Sequence, residues 1–140
     1  MLFSSSITIP PNTTKANLIR EIMPIRHGII SKIMVRPRPG HAGLAHLVIR
    51  YNTIQIAPSN EGMDFHGDAA PIDWEEYFEV YQPEYELTLQ GWNEDDTYPH
   101  TFDVFVAILP RKAVLPLAIS DAFKSLRVPE PIKRIFTKGA

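Results

Sequence analysis

Apolar and polar residues alternate along much of the chain from Leu2 to Pro110. A period of two marks a strand with one face buried. After Gly28, Ile29, Ile33 and Val35 share one face with Ser31, while Ile30, Lys32, Met34 and Arg36 point the other way. Pro37-Arg38-Pro39-Gly40 closes that strand with breaker residues. The next strand, Ala42 to Tyr51, places Ala45, Leu47, Ile49 and Tyr51 on one face and Leu44, His46, Val48 and Arg50 on the other. Asn52-Thr53 links it tightly to Ile54-Gln55-Ile56. Tyr77-Phe78-Glu79-Val80 reads as a short strand. Tyr85, Leu87 and Leu89 alternate with Glu84, Glu86, Thr88 and Gln90, and Phe102, Val104, Val106 and Ile108 alternate with Thr101, Asp103, Phe105 and Ala107. These last two strands are expected to pair as a hairpin about the acidic turn Asn93 to Pro99.

The remaining segments carry weaker signals. Leu2 to Ile9 reads as a short strand or extended arm that stops at Pro10-Pro11, and Asn12 to Asn17 is polar and turn-prone. Leu18, Ile19, Ile22 and Met23 fit a helical face, yet Pro24 argues against continuing one, so Leu18 to Ile25 stays open between helix and strand. Pro58 to Asp73, rich in Gly, Asn, Asp, Ser and Pro, is the longest loop. Loops beyond about 12–15 residues are usually functional or mobile. After Pro110, the spacing of Leu117, Ile119, Ala122, Phe123 and Leu126 predicts a helix, and Lys124, Arg127, Lys133, Arg134 and Lys138 make the tail basic.

About seven or eight short strands with turn residues between them predict an all-β fold, an antiparallel β-sandwich of jelly-roll type with a short helical C-terminal extension. The expected organisation is an N-terminal arm or edge strand over 1–17, a sandwich over 18–110 and a helical, basic extension over 111–140. A chain of 140 residues has the length of one domain and can bury a core without staples.

Composition narrows the function classes. There is no cysteine, so disulfides and thiolate metal sites are excluded. A formal charge of −2 gives no field suited to nucleic acid or anionic membrane. No apolar run approaches the roughly 20 residues of a membrane span, and Met1 to Ile9 lacks the marks of a secretion signal. Neither G-x-S-x-G, a P-loop nor G-x-G-x-x-G occurs, so no catalytic residue is expected and the chain reads as a non-enzyme.

Candidate chemistry is confined to a few strings. Of the five histidines, His27, His41, His46, His66 and His100, none forms the H-x-H pair of a cupin-type metal site. Asp64, His66 and Asp68 carry ligand types at alternate positions and would face one way in an extended segment. Their Gly-rich loop makes an ordinary surface the expectation, with no metal and no cofactor. The turn Trp92 to His100 offers oxygens that suit Ca²⁺ but lacks the spacing of a calcium loop, so Asx turns at Asn93 and Asp96 are expected. Glu75 and Glu79 would serve a glycosidase only if the fold set them across a sugar, and Arg36, Arg38 and Arg50 suit phosphate or an acidic protein surface equally.

The string Gly91-Trp92-Asn93-Glu94-Asp95-Asp96-Thr97-Tyr98-Pro99-His100, with the sandwich pattern and the extended ends, resembles small virion structural proteins of tailed bacteriophages, among them capsid decoration (cement) proteins. The likeness covers Ile7 to Pro110 in style and carries over no functional residue. It implies a sandwich that oligomerises and docks on a protein shell, with copies of itself and a major capsid or other virion protein as partners and the virion as location. The basic tail departs from that pattern. Apolar residues in the two arms, Leu2, Phe3, Ile7, Leu115, Leu117, Phe123, Ile135 and Phe136, are the candidate interaction residues unless the arms fold back on their own sandwich. The competing expectation is a carbohydrate- or Ca²⁺-binding module on the same sandwich.

Overall fold

The structure, a computed structural model, describes residues 1–110. The compact unit Met1–Leu109 is built from eight strands and one 3₁₀ turn: β1 (Leu2–Ile9), the turn Lys15–Asn17, β2 (Ile19–Pro24), β3 (Gly28–Pro37), β4 (Ala45–Tyr51), β5 (Ile54–Ala57), β6 (Ile72–Val80), β7 (Glu86–Asn93) and β8 (His100–Leu109). They form two four-stranded antiparallel sheets in the orders β1-β8-β3-β6 and β2-β7-β4-β5. The chain crosses between sheets after β1, β2, β3, β5, β6 and β7, so consecutive strands are seldom neighbours. That winding is the jelly roll.

The alternation seen in the sequence places the core. Phe102, Val104, Val106 and Ile108 of β8 face Leu47 and Ile49 of β4 and Leu87 and Leu89 of β7 across the sandwich, all fully buried. Ile7 and Ile9 of β1, Met23 of β2, and Ile30, Ile33 and Val35 of β3 complete this layer. Each such side chain contributes about 1.5–3 kcal/mol by leaving water, which is why no disulfide is needed.

Three details differ from the sequence reading, and one segment left open is assigned. Strands β7 and β8 are not a hairpin: β7 pairs with β2 and β4, whereas β8 pairs with β1 and β3. Alternation fixes which face of a strand is buried but not which sheet the strand joins. In β3 a register shift between Ile30 and Lys32 moves Ile30, rather than Ile29, onto the core face with Ile33 and Val35. Leu18 to Ile25 resolves into strand β2, paired with β7 from Ile19↔Gly91 to Pro24↔Glu86; Pro24 closes it at its end, on an edge where the missing N–H costs nothing. Strand β6 begins at Ile72, earlier than Tyr77, and shortens the preceding loop. The helix expected from Leu117 to Leu126 lies outside the described residues.

Gly91 shows how closely the sheets approach. A Cβ here would overlap the side chain of Ile9 and come within 3.1 Å of the His46 carbonyl oxygen. Gly91→Val should therefore cost about 1–3 kcal/mol in urea unfolding, as overpacking does. Ile9→Ala should cost about 2–5 kcal/mol by opening a cavity. The double variant should lose clearly less than the sum, because the valine fills the space the isoleucine leaves. Additive losses would show that the two side chains do not compete for one volume.

Candidate functional site

Among the described residues, three places are considered for their chemistry. The first is β1 with the sheet face beside it. Met1 and Ile108 exchange both backbone hydrogen bonds, each at 2.7 Å. In an antiparallel ladder the bonding direction alternates by residue, so the N–H and C=O groups of Leu2, Ser4, Ser6 and Thr8 point away from β8. Among the described residues no strand pairs with that side of β1. Natural edges are usually blunted by charge, proline or brevity. β6 carries Asp73, Glu75, Glu76 and Glu79, β2 carries Arg20, Glu21 and Pro24, and β5 has only four residues. β1, with the sequence LFSSSITI, has none of these devices. Alongside it, Leu2, Met34, Phe105, Ala107 and the stem of Lys32 line a shallow apolar groove on the outer face of the sheet.

The second place is the turn from β7 to β8, whose oxygens are largely spent. The buried Asn93 donates from Nδ2 to the carbonyls of Ile9 and Tyr98 at 3.2 and 2.9 Å, and its Oδ1 accepts the Asp95 amide at 2.9 Å. Asp95 accepts the Thr97 amide at 2.9 Å and His100 Nε2–H at 2.8 Å. The Thr97 amide, then His100, hold the Asp95 carboxyl below the usual carboxylate range. Asx turns do form, at Asn93 as expected and at Asp95 in place of Asp96, whose Oδ1 takes the Thr97 hydroxyl instead. His41 lies against His100 and Phe102 and donates from Nε2 to the Thr101 carbonyl at 2.8 Å. Burial pushes its pKa down, so it is held neutral.

The third place is on the outer face of the other sheet. His46 of β4 and His66 of the loop after β5 both donate from Nδ1 to the same atom, Asp64 Oδ1, at 2.6 and 3.0 Å. Burial pushes the Asp64 carboxyl up, but the hydrogen bonds from His46 and His66 outweigh it and hold the group below the usual range. A single bridge, Leu47↔Phe65, docks this loop on β4 and brings the three side chains together. The His46 ring stacks on Trp92 with centroids 5.0 Å apart and planes 8° from parallel, and Lys15 Nζ sits 5.0 Å from the indole. Asp68 does not join them: its two oxygens accept the amides of Gly40 and Ala42 at 2.8 and 3.0 Å. Sequence spacing had offered Asp64, His66 and Asp68; His46 was missed although its place on the outward face of its strand was legible.

The remaining candidates are dispersed. Leu2 is 69% exposed and Phe3 half-buried against the core, whereas Ile7 is 1% exposed. Ile7 is therefore a core residue, not an interaction residue, because β1 is paired along its length and turns that side chain inward. Leu115, Leu117, Phe123, Ile135 and Phe136 lie outside the described residues. Arg38 forms a two-bond pair with Asp103 at 3.0 and 2.9 Å, and Arg50 donates to the Thr53 carbonyl at 2.8 Å, so neither stands ready for a phosphate. Glu75 and Glu79 lie on the edge strand β6, not across a cleft.

No family model and no curated protein matches the chain. Among solved structures it is similar to the cyanophage Pam1 capsid asymmetric unit, at 12% identity and a TM-score of 0.48, over 76% of this chain and 81% of that one. It is also similar to a de novo designed double-stranded β-helix, at 12% identity and a TM-score of 0.36, covering 74% of this chain and 97% of the design. A third is the structure described as "CBM4 structure and function", at 10% identity and a TM-score of 0.38, over 77% of this chain and 93% of that one. None of them supplies a residue role.

The carboxylates of Asp64, Asp68, Asp95 and Asp103 all titrate below their ordinary value in the fold. In the unfolded chain they take up protons near pH 3.9 or so. The unfolded state thus binds protons first as the pH falls, so their contribution is full above about pH 4 and is lost as pH drops through the folded values. The urea midpoint should fall steeply in that window. Asp103→Asn, which removes the partner of Arg38 and Ser6, should lower the midpoint at neutral pH and flatten the acid limb. An acid limb of unchanged slope would show that Asp103 titrates alike in both states.

Proposed function

We propose that this chain is a non-catalytic virion structural protein that self-associates through β1 and docks on a protein shell. The observation that carries the proposal is the open, uncharged β1 edge, eight residues long and flanked by an apolar groove. An unpaired edge of that length is a template for another strand. The occupant proposed is a second copy of the same chain. In a two-fold antiparallel pair, residue i of one copy meets residue j of the other and j meets i, so like charges spread along the edge would be brought close to one another. β1 carries none, and its Ser and Thr side chains can hydrogen-bond across such a pair. Leu2 and Phe105 would cover one another from the two copies. That the shell is a virion rests on the resemblance of Gly91 to His100 and the extended ends to decoration proteins.

A carbohydrate- or Ca²⁺-binding role finds less support. The most enclosed tryptophan, Trp92, is stacked by His46 and approached by Lys15, and the Asp95 oxygens are engaged by the turn itself.

Light scattering on the purified protein should give a defined oligomer. Ser4→Pro removes an N–H that points to the free edge and leaves the β8 ladder intact. Together with Leu2→Lys it should reduce the mass toward monomer while the circular dichroism of the sandwich is unchanged. A mass indifferent to both substitutions would remove β1 as the interface.

A further inference from the structure

The corner formed by β4 and the loop after β5 is not used by the assembly surface. We propose that His46, Asp64 and His66 form a binding site for one divalent transition-metal ion of the Zn²⁺ class, which fastens this loop to the sheet. Their three ligand atoms all lie within 4.8 Å of one another. In a tetrahedral zinc site with bonds of about 2.0–2.2 Å, neighbouring ligand atoms stand roughly 3.3–3.5 Å apart. The two imidazoles already aim the same nitrogen at one carboxylate oxygen, at 2.6 and 3.0 Å. Spreading those contacts by roughly 0.3–0.9 Å admits the ion between them.

The donor chemistry selects the metal class. Two imidazole nitrogens and one carboxylate oxygen suit Zn²⁺, Co²⁺, Ni²⁺ or Cu²⁺, whereas Ca²⁺ and Mg²⁺ require oxygen ligands. His66 is 55% exposed at its side chain, so the fourth position opens to water.

The surroundings of His46 fit a ligand rather than a plain hydrogen-bonding residue. Its Nε2 is buried and makes no hydrogen bond, although Glu94 Oε2 lies 3.4 Å away. With Nδ1 carrying the proton toward Asp64, two lone pairs, on Nε2 and on the Glu94 carboxylate, face each other. When Nδ1 gives its lone pair to a metal, the proton resides on Nε2, and Glu94 becomes its acceptor. A carboxylate behind a ligating histidine is the usual second layer of such sites. The flat stack on Trp92 fixes the ring plane.

The test is calorimetric titration of Zn²⁺ into the full-length protein after treatment with a chelator. The expected result is saturable binding of one ion per chain, with a rise in melting temperature. His66→Ala and His66→Gln, both at an exposed loop position, should weaken binding by at least about tenfold, on the scale of lost metal-site partners. His27→Ala, a histidine elsewhere on the fold, should bind as the unaltered protein does. Co²⁺ in place of Zn²⁺ should give visible bands that disappear in Asp64→Ala. Absence of one-to-one binding, or equal affinity in the His66 and His27 variants, would overturn the proposal and leave the trio as a hydrogen-bonded corner.

Discussion

The buried carboxamide of Asn93 sits where the chain leaves one sheet for the other. Its side chain holds the last carbonyl of β1 and the turn before β8, while its backbone N–H and C=O pair with Thr13 beyond β1. Two of the crossings between sheets, β1 to β2 and β7 to β8, are thereby tied at one residue. A buried amide repays its desolvation only when its donors and acceptor are met, and here the fold meets them. These contacts lie where β1 pairs with β8 and β2 with β7.

The strands, their inward faces and the sandwich class could be read from alternation alone, because burial on one face leaves a period of two in the sequence. What could not be read was pairing. Leu87-Leu89 and Phe102-Val104 carry the same local signal whether they lie side by side or face to face, and they lie face to face. The slip at Ile30 was hidden because both Ile29 and Ile30 are apolar. The histidine cluster was half legible: Asp64 and His66 share a loop, but His46 reaches them through the Leu47↔Phe65 bridge, a contact between separate segments of the chain. The inward place of Ile7 leaves no local mark in the sequence, because its strand pairs with β8, nearly a hundred residues on.

The polar residues divide into two sorts. Asp68, Asp95, Asp103 and Arg38 spend their capacity within the fold, on amides, on His100 and on each other. Among the described residues, the outer side of β1 pairs with no strand, and the buried His41 Nδ1 and His46 Nε2 make no hydrogen bond. Surfaces of this kind are open at the edge yet rigid beneath. The jelly roll provides them, because its two layers hold each outer face independently of what binds there.

The first strand of the chain also waits longest for its place. Leu2 meets Ala107 and Ile9 meets His100, so β1 has no partner until β8, the last of the described strands, has been made. On a ribosome adding about 5–20 residues each second, the bare, uncharged segment stays open for several seconds in every nascent chain. Copies made close together on one message would present such segments to one another before their own β8 exists.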